Sequence, residues 1–336
     1  MSPAIRPFGH TRDGRAVDVI RISAGDLTAQ VITFGAALQD LRLAGTPWPL
    51  TVGSDSLAAY EGPLRNAGAI CGPVVNRIAG AQAVIGGKRL RFDPNEGPNL
   101  LHSGDTGMDR QVWTVADTTA DSVTLRIDLP DGLGGFPGNR RVTARYSIRK
   151  PAVLRLDITA ETDRPTLMNP APHSYWNLDG RATTEGQRLA VLADRRTVLD
   201  AALLPTGEVA PVAGTDFDLR GGTELTDRPR FDTNFCLAEA AQPLSRAATL
   251  HGRSGVTLDL WTTAPGLQVY DAQRLDSRPW PGLTGQPYGN FAGVALEPQL
   301  WPDAPHHPGF PSIVLQPGET FRHETEIRLS RRDPGH

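Results

Sequence analysis

Leu27, Ala29 and Val31 alternate with polar neighbours, and the same period of two returns at Val123, Leu125, Ile127 and Leu129. It appears again at Val142, Ala144, Tyr146 and Ile148, at Leu154, Leu156 and Ile158, and at Val256, Leu258 and Leu260. Alternation of this kind predicts strands with one face in a core and the other toward solvent or a groove. Residues 83–92 read as a hairpin, with Gly86-Gly87 supplying the positive φ that a two-residue turn needs. Lys150-Pro151 separates two alternating runs and suits a tight connection. In Thr33-Phe-Gly-Ala-Ala, Gly35 marks a bulge or a close backbone approach. No long window has a period of 3.6, so only short helical turns are expected, around residues 56–60 and 237–241. The Gly/Pro-rich stretches 131–140 and 277–289 lie between strand-like runs and read as excursions from one domain. With no repeat and no linker, residues 1–336 are expected to form a single all-β domain, a sandwich or barrel of many strands.

Composition narrows the partners. The 336 residues carry a formal net charge of −3, which gives a polyanion nothing to bind, so nucleic acid is not an expected partner. No apolar run is long enough to span a membrane, and Met1–His10 lacks the apolar stretch of a signal peptide. Two cysteines, Cys71 and Cys236, make no disulfide framework and suit a reducing cytoplasm. The 35 glycines and 29 prolines are spread along the chain and therefore signal turns rather than a disordered tract.

Two stretches hold the candidate chemistry. His173 lies in Ala171-Pro-His-Ser-Tyr-Trp-Asn-Leu178, between prolines that fix the backbone and the aromatic pair Tyr175-Trp176, a flat apolar surface of the kind a sugar face stacks on. Glu297 ends the apolar run 291–296, where a carboxylate is costly to bury without partners. It reads as a general base held at a fixed position, or more plainly as a cap or salt-bridge partner. Arg77 is another charge in an apolar context: a donor fork for sugar hydroxyls, or half of a structural ion pair with a nearby Asp. His102 alone fits an ordinary loop or buried histidine. Zinc-site spacings, a serine-hydrolase elbow and a dinucleotide glycine motif are all missing, so metal and nucleotide chemistry have no support.

Taken together, the motifs resemble the aldose 1-epimerases, or galactose mutarotases, over nearly the whole chain. The resemblance rests on Thr33-Phe-Gly-Ala-Ala, Asn76-Arg77-Ile-Ala, Asn99-Leu-Leu-His102-Ser-Gly, Gly135-Phe-Pro-Gly138 and Pro172-His173-Ser-Tyr-Trp-Asn177, in family order. It continues through Leu204-Pro-Thr-Gly-Glu208, Phe231-Asp232-Thr-Asn-Phe235, Gly266-Leu-Gln268-Val-Tyr270, Leu296-Glu297-Pro-Gln and Leu315-Gln-Pro-Gly-Glu319. It implies a large antiparallel β supersandwich with little helix and a cofactor-free, metal-free isomerase acting on a free monosaccharide. Glu297 would take the proton of the C1 hydroxyl and His173 would protonate the ring oxygen. The ring would open, the C1–C2 bond rotate, and closure invert the anomer. Arg77, His102, Asp232 and Gln268, with Asn76 and Tyr175, would hold the sugar. A carboxylate and a histidine suit that pair of proton transfers at neutral pH.

Three single residues, Ser103, Pro172 and Thr233, and the run Asp271-Ala272-Gln273 depart from the family pattern. They are expected to alter the pocket rim, leaving the preferred aldose open. Rival readings are an epimerase of hexose phosphates or substituted hexoses, and a non-catalytic carbohydrate-binding sandwich. A monomer or homodimer is expected.

Overall fold

The computed structural model describes residues 4–226 and 230–331. Three larger antiparallel sheets carry the fold. Ala4–His10, Ala16–Ala24, Leu27–Ile32 and Ala37–Leu43 form an N-terminal meander. A nine-stranded sheet is centred on Arg140–Arg149, Val153–Thr162, Phe321–Arg331 and Val256–Thr262. The late strand Phe321–Arg331 inserts between two earlier ones, which ties the end of the chain into the middle of the sheet. The third sheet runs in the order Tyr175–Trp176, Val294–Gln299, Gly266–Tyr270, Asp232–Cys236, Arg195–Leu199, Pro205–Pro211. This is the antiparallel, nearly all-strand architecture expected from the period-two runs.

The same alternation sorts core from site. Leu267 and Val269 on one strand and Val294 and Leu296 on its neighbour are buried in the main apolar cluster, with Tyr146, Leu156, Leu260 and Ile327 of the nine-stranded sheet. Gln268, Tyr270 and Glu297, the residues between and beyond them, face the other way into a polar cleft. One sheet therefore supplies a core with its back and a site with its front.

Local expectations mostly hold. Gln82–Ile85 and Lys88–Arg91 pair as a hairpin, and Gly86 and Gly87 have φ of 54° and 77°. Leu57–Tyr60 is a single helical turn. Gly35 marks a close approach: with φ at 66°, an added Cβ would lie 2.7 Å from the Asp109 carbonyl oxygen. Residues 237–241 form no helical turn, contrary to their Leu/Ala/Glu composition. The backbone N–H groups of Leu237 and Ala238 both donate to the Pro265 carbonyl, and that of Gln242 donates to Thr263. Both ends of the segment are thereby tied to the neighbouring connection instead of coiling on themselves.

Asp109, packed beneath Gly35, is buried and has a carboxyl oxygen without a hydrogen-bond partner among the described residues. Burial pushes its carboxyl up to about 7. Because this lies above the unfolded value of 3.8, folding binds the proton. The stabilisation is whole below the unfolded value and is lost as the pH rises through about 7. Asp109→Asn removes that loss. In urea unfolding at pH 8 the variant should exceed the wild type by up to ~4 kcal/mol, with the gap closing toward about pH 4.

Candidate active site

His173 is placed by its backbone. The short strand Ala171–Pro172 pairs with Ile70–Cys71, and the His173 N–H and C=O then bond to Ala69 and Gly68. Gly68 has φ at 71°, and a Cβ there would meet the Leu38 carbonyl oxygen at 2.1 Å, so only glycine lets this backbone approach. Two residues on, Tyr175–Trp176 pairs with Val294–Ala295 at the edge of the six-stranded sheet. Strand alternation sends Tyr175 beside His173, with ring centroids 5.0 Å apart. It sends Trp176 into the main core. The aromatic surface of the cleft is therefore Tyr175 with Tyr270, 6.3 Å apart, and not the Tyr175-Trp176 pair that the sequence suggested.

Glu297 and Gln268 sit directly opposite each other on adjacent strands, and Asn234 lies opposite Gln268 on the next. Asp232, two residues before Asn234, accepts a hydrogen bond from Gln268 Nε2 at 2.6 Å. The remaining groups come from the other wall. Asn76 and His102 both have positive φ, 62° and 51°, an uncommon backbone for such residues and a mark of a constrained site. His102 Nδ1 accepts from the Asn76 backbone N–H at 3.2 Å, which fixes the proton on Nε2. Asn76 Oδ1 in turn accepts from the Arg77 backbone N–H. Asn76, Arg77, His102, His173, Tyr175, Asp232, Gln268 and Glu297 all line one cleft of about 250 Å³, a volume suited to a single small polar ligand.

His173 and Glu297 meet inside it. Nε2 of the imidazole lies 3.4 Å from Oε1 of the carboxyl, and the residues are only 4% and 2% exposed. Burial pushes His173 down to about 4. Burial, then the nearby Asp232 charge, pushes Glu297 well above the usual carboxylate range, with Arg77 opposing. Burial thus disfavours the charged form of each partner, the imidazolium of His173 and the carboxylate of Glu297. His102 is held neutral by burial, then by His173 and Arg77, so it offers an N–H donor rather than a charge.

Arg77 also differs from expectation. Its fork is already occupied: Nε and Nη2 bond Glu96 at 2.6 and 2.8 Å, and only Nη1 is turned toward Asp232, at 3.6 Å. Burial works against the guanidinium charge, and the Glu96 hydrogen bonds with the Asp232 and Glu96 charges outweigh it. Of the departures from the family pattern, three lie behind the cleft and not on its rim. Ser103 bonds Val74 at both N–H and C=O, Pro172 faces the core beside Trp176, and Thr233 is buried in its strand. Only Gln273, from the run after Tyr270, reaches the cleft. Arg65, Asn66, Glu96, Leu203, Tyr270 and Arg274 line it as well and were missed as site residues in the sequence. Tyr270 had a signal, since it lies two residues beyond Gln268 on a recognisable strand. The others sit in turns whose place depends on the fold.

A β supersandwich that pairs a buried histidine with a buried carboxyl in a monosaccharide-sized polar cleft has the build of a carbohydrate isomerase. The sequence model of the aldose 1-epimerase family matches residues 18–328, and the chain belongs to that family. It is 34% identical over 328 residues to the galactose mutarotase of Mus musculus, covering 94% of this chain and 95% of that one. It is 30% identical to the aldose 1-epimerase of Escherichia coli K12, with 98% of each chain covered. Among solved structures, the aldose epimerase homologue from C. elegans superposes with a TM-score of 0.88 at 28% identity, covering 95% of this chain and all of that one (100%).

Proposed function

We propose that this aldose 1-epimerase interconverts the α and β anomers of a free aldose with Glu297 and His173 as its proton-transfer pair. The observation that carries the reading is their 3.4 Å contact in a buried polar cleft. Ring opening needs one proton removed from the C1 hydroxyl and one delivered to the ring oxygen. A carboxyl and an imidazole that share a single proton supply both, once that proton crosses from Glu297 to His173. Glu297 then accepts from the C1 hydroxyl, His173 donates to the ring oxygen, and the C1–O5 bond breaks. After rotation about C1–C2 the same groups reverse their roles on the other face of the aldehyde.

The other cleft residues bind. Tyr175 and Tyr270 offer a ring face to the sugar's apolar side. His102 Nε2–H, Asp232, Gln268, Asn76 and the free edge of Arg77 are the hydroxyl partners. One chain supplies all of these groups, so the site is complete in a monomer. Buried free thiols at Cys71 and Cys236 fit a reducing cytoplasm. The test is polarimetry or one-dimensional NMR of freshly dissolved α-aldoses, free and 6-phosphorylated, with and without the protein. Faster equilibration of a free aldose is expected. No acceleration of any free aldose would overturn the assignment.

A further inference from the structure

We propose that Glu96 is a positioning residue for this reaction: its carboxylate clamps the Arg77 guanidinium so that the one free edge faces Asp232 and the sugar. The inference rests on the epimerase reading above. Arg77 is buried, and the two bonds from Nε and Nη2 to Glu96, at 2.6 and 2.8 Å, form a bidentate pair that fixes the plane of the guanidinium. Nη1 is left 3.6 Å from Asp232 Oδ2, and the other Asp232 oxygen accepts from Gln268 at 2.6 Å. Gln268 in turn lies across from Glu297. Glu96 therefore starts a continuous line, Glu96–Arg77–Asp232–Gln268, that ends beside the proton-transfer pair.

The carboxylate is itself held rigidly. It projects from a tight turn in which the N–H groups of Asn95 and Glu96 both donate to the Asn99 carbonyl, and the Asn99 N–H donates back to Glu96. The Asn95 side chain clamps the N–H and C=O of Leu101, the residue paired with Arg77. The Asn99 side chain accepts from the Gly80 N–H. So the turn that presents Glu96 and the strand that presents Arg77 move as one body. A purely structural partner has no need to stand in the cleft, yet Glu96 lines it and keeps about a third of its side chain exposed there, at 34%. Lysine at position 77 cannot be held this way, because a point charge has no plane to fix.

The experiment measures kcat, KM and pH dependence of mutarotation for Glu96→Ala, Glu96→Gln and Glu96→Asp, each checked for wild-type melting. Glu96→Ala should raise KM by about 10–100-fold, the loss expected for a bidentate charge-assisted pair, with a much smaller fall in kcat. Glu96→Asp should recover part of the loss. In an Arg77→Lys background the Glu96→Ala change should add little, since the two act as a unit. Glu96→Gln should also move the alkaline limb of kcat/KM to lower pH. With the Glu96 charge gone, Asp232 alone offsets the Arg77 charge at Glu297, and the shared proton leaves at lower pH. The ionisable groups acting on Glu297 are His173, Asp232, Arg77, Tyr175 and Cys71, and none of these is altered in that variant. Normal KM and an unmoved alkaline limb in both Glu96→Ala and Glu96→Gln would overturn the inference while leaving the epimerase reading intact. Should Glu96→Ala melt early, the isosteric Glu96→Gln decides alone. A wild type without mutarotation would overturn both readings at once.

Discussion

Glu297→Gln is expected to lower kcat for mutarotation by about 10²–10⁴-fold with little change in sugar binding. The amide keeps the shape of the side chain and can sit opposite Gln268 as the carboxyl does. What it loses is the ability to hold or release a proton, and both steps of the proposed cycle pass through that ability. Binding should be preserved because the proposed hydroxyl partners stand on other strands and other walls of the cleft. The decisive measurement is single-enzyme saturation kinetics followed by polarimetry. A near-normal kcat in the variant would remove Glu297 from the reaction and leave the proton transfers to the histidines.

His173→Gln should cost kcat a similar factor, about 10²–10⁴-fold, and should also change the shape of the pH profile. In the wild type the active form carries one proton on the pair. A second proton goes to His173, held down to about 4 by its burial, so activity should fall only as the pH drops through that region. At the alkaline end activity falls when the single proton leaves, at a pH above the ordinary carboxylate range because Glu297 is buried. In His173→Gln the acid limb near 4 should disappear from the residual activity. An acid limb that persists unchanged would assign it to another group and exclude His173 as the second proton site.

The strands were legible because burial on one face forces a period of two, and that period survives in the residue order from Val123 to Leu129 or from Val142 to Ile148. The proposed proton-transfer pair stood out in the sequence because a histidine among prolines and a carboxylate at the end of an apolar run are both costly unless something requires them. Other features depended on pairings that cross the chain. Trp176 carries the same aromatic signal as Tyr175, and only the pairing with Val294–Ala295 shows which of the two turns to the core. Residues 237–241 have helix-forming composition, but the Leu237 and Ala238 N–H groups are turned to the Pro265 carbonyl. Glu96 gives no sign of itself, because a polar residue next to Gly97-Pro98 reads as an ordinary turn until Arg77 is brought against it. Thr233, Ser103 and Pro172 looked like rim changes, since a motif comparison records difference without depth.

The 3.4 Å contact between His173 and Glu297 has a consequence for how the protein deals with water. In the proposed cycle Glu297 returns on closing the proton it accepts on opening, and His173 recovers on closing the one it gives on opening. The circuit is closed: a turnover begins and ends with the same single proton, and nothing needs to be drawn from or released to the bulk. A hydrolase must admit a reactant water molecule and cannot seal its machinery, whereas this pair can lie almost wholly out of solvent.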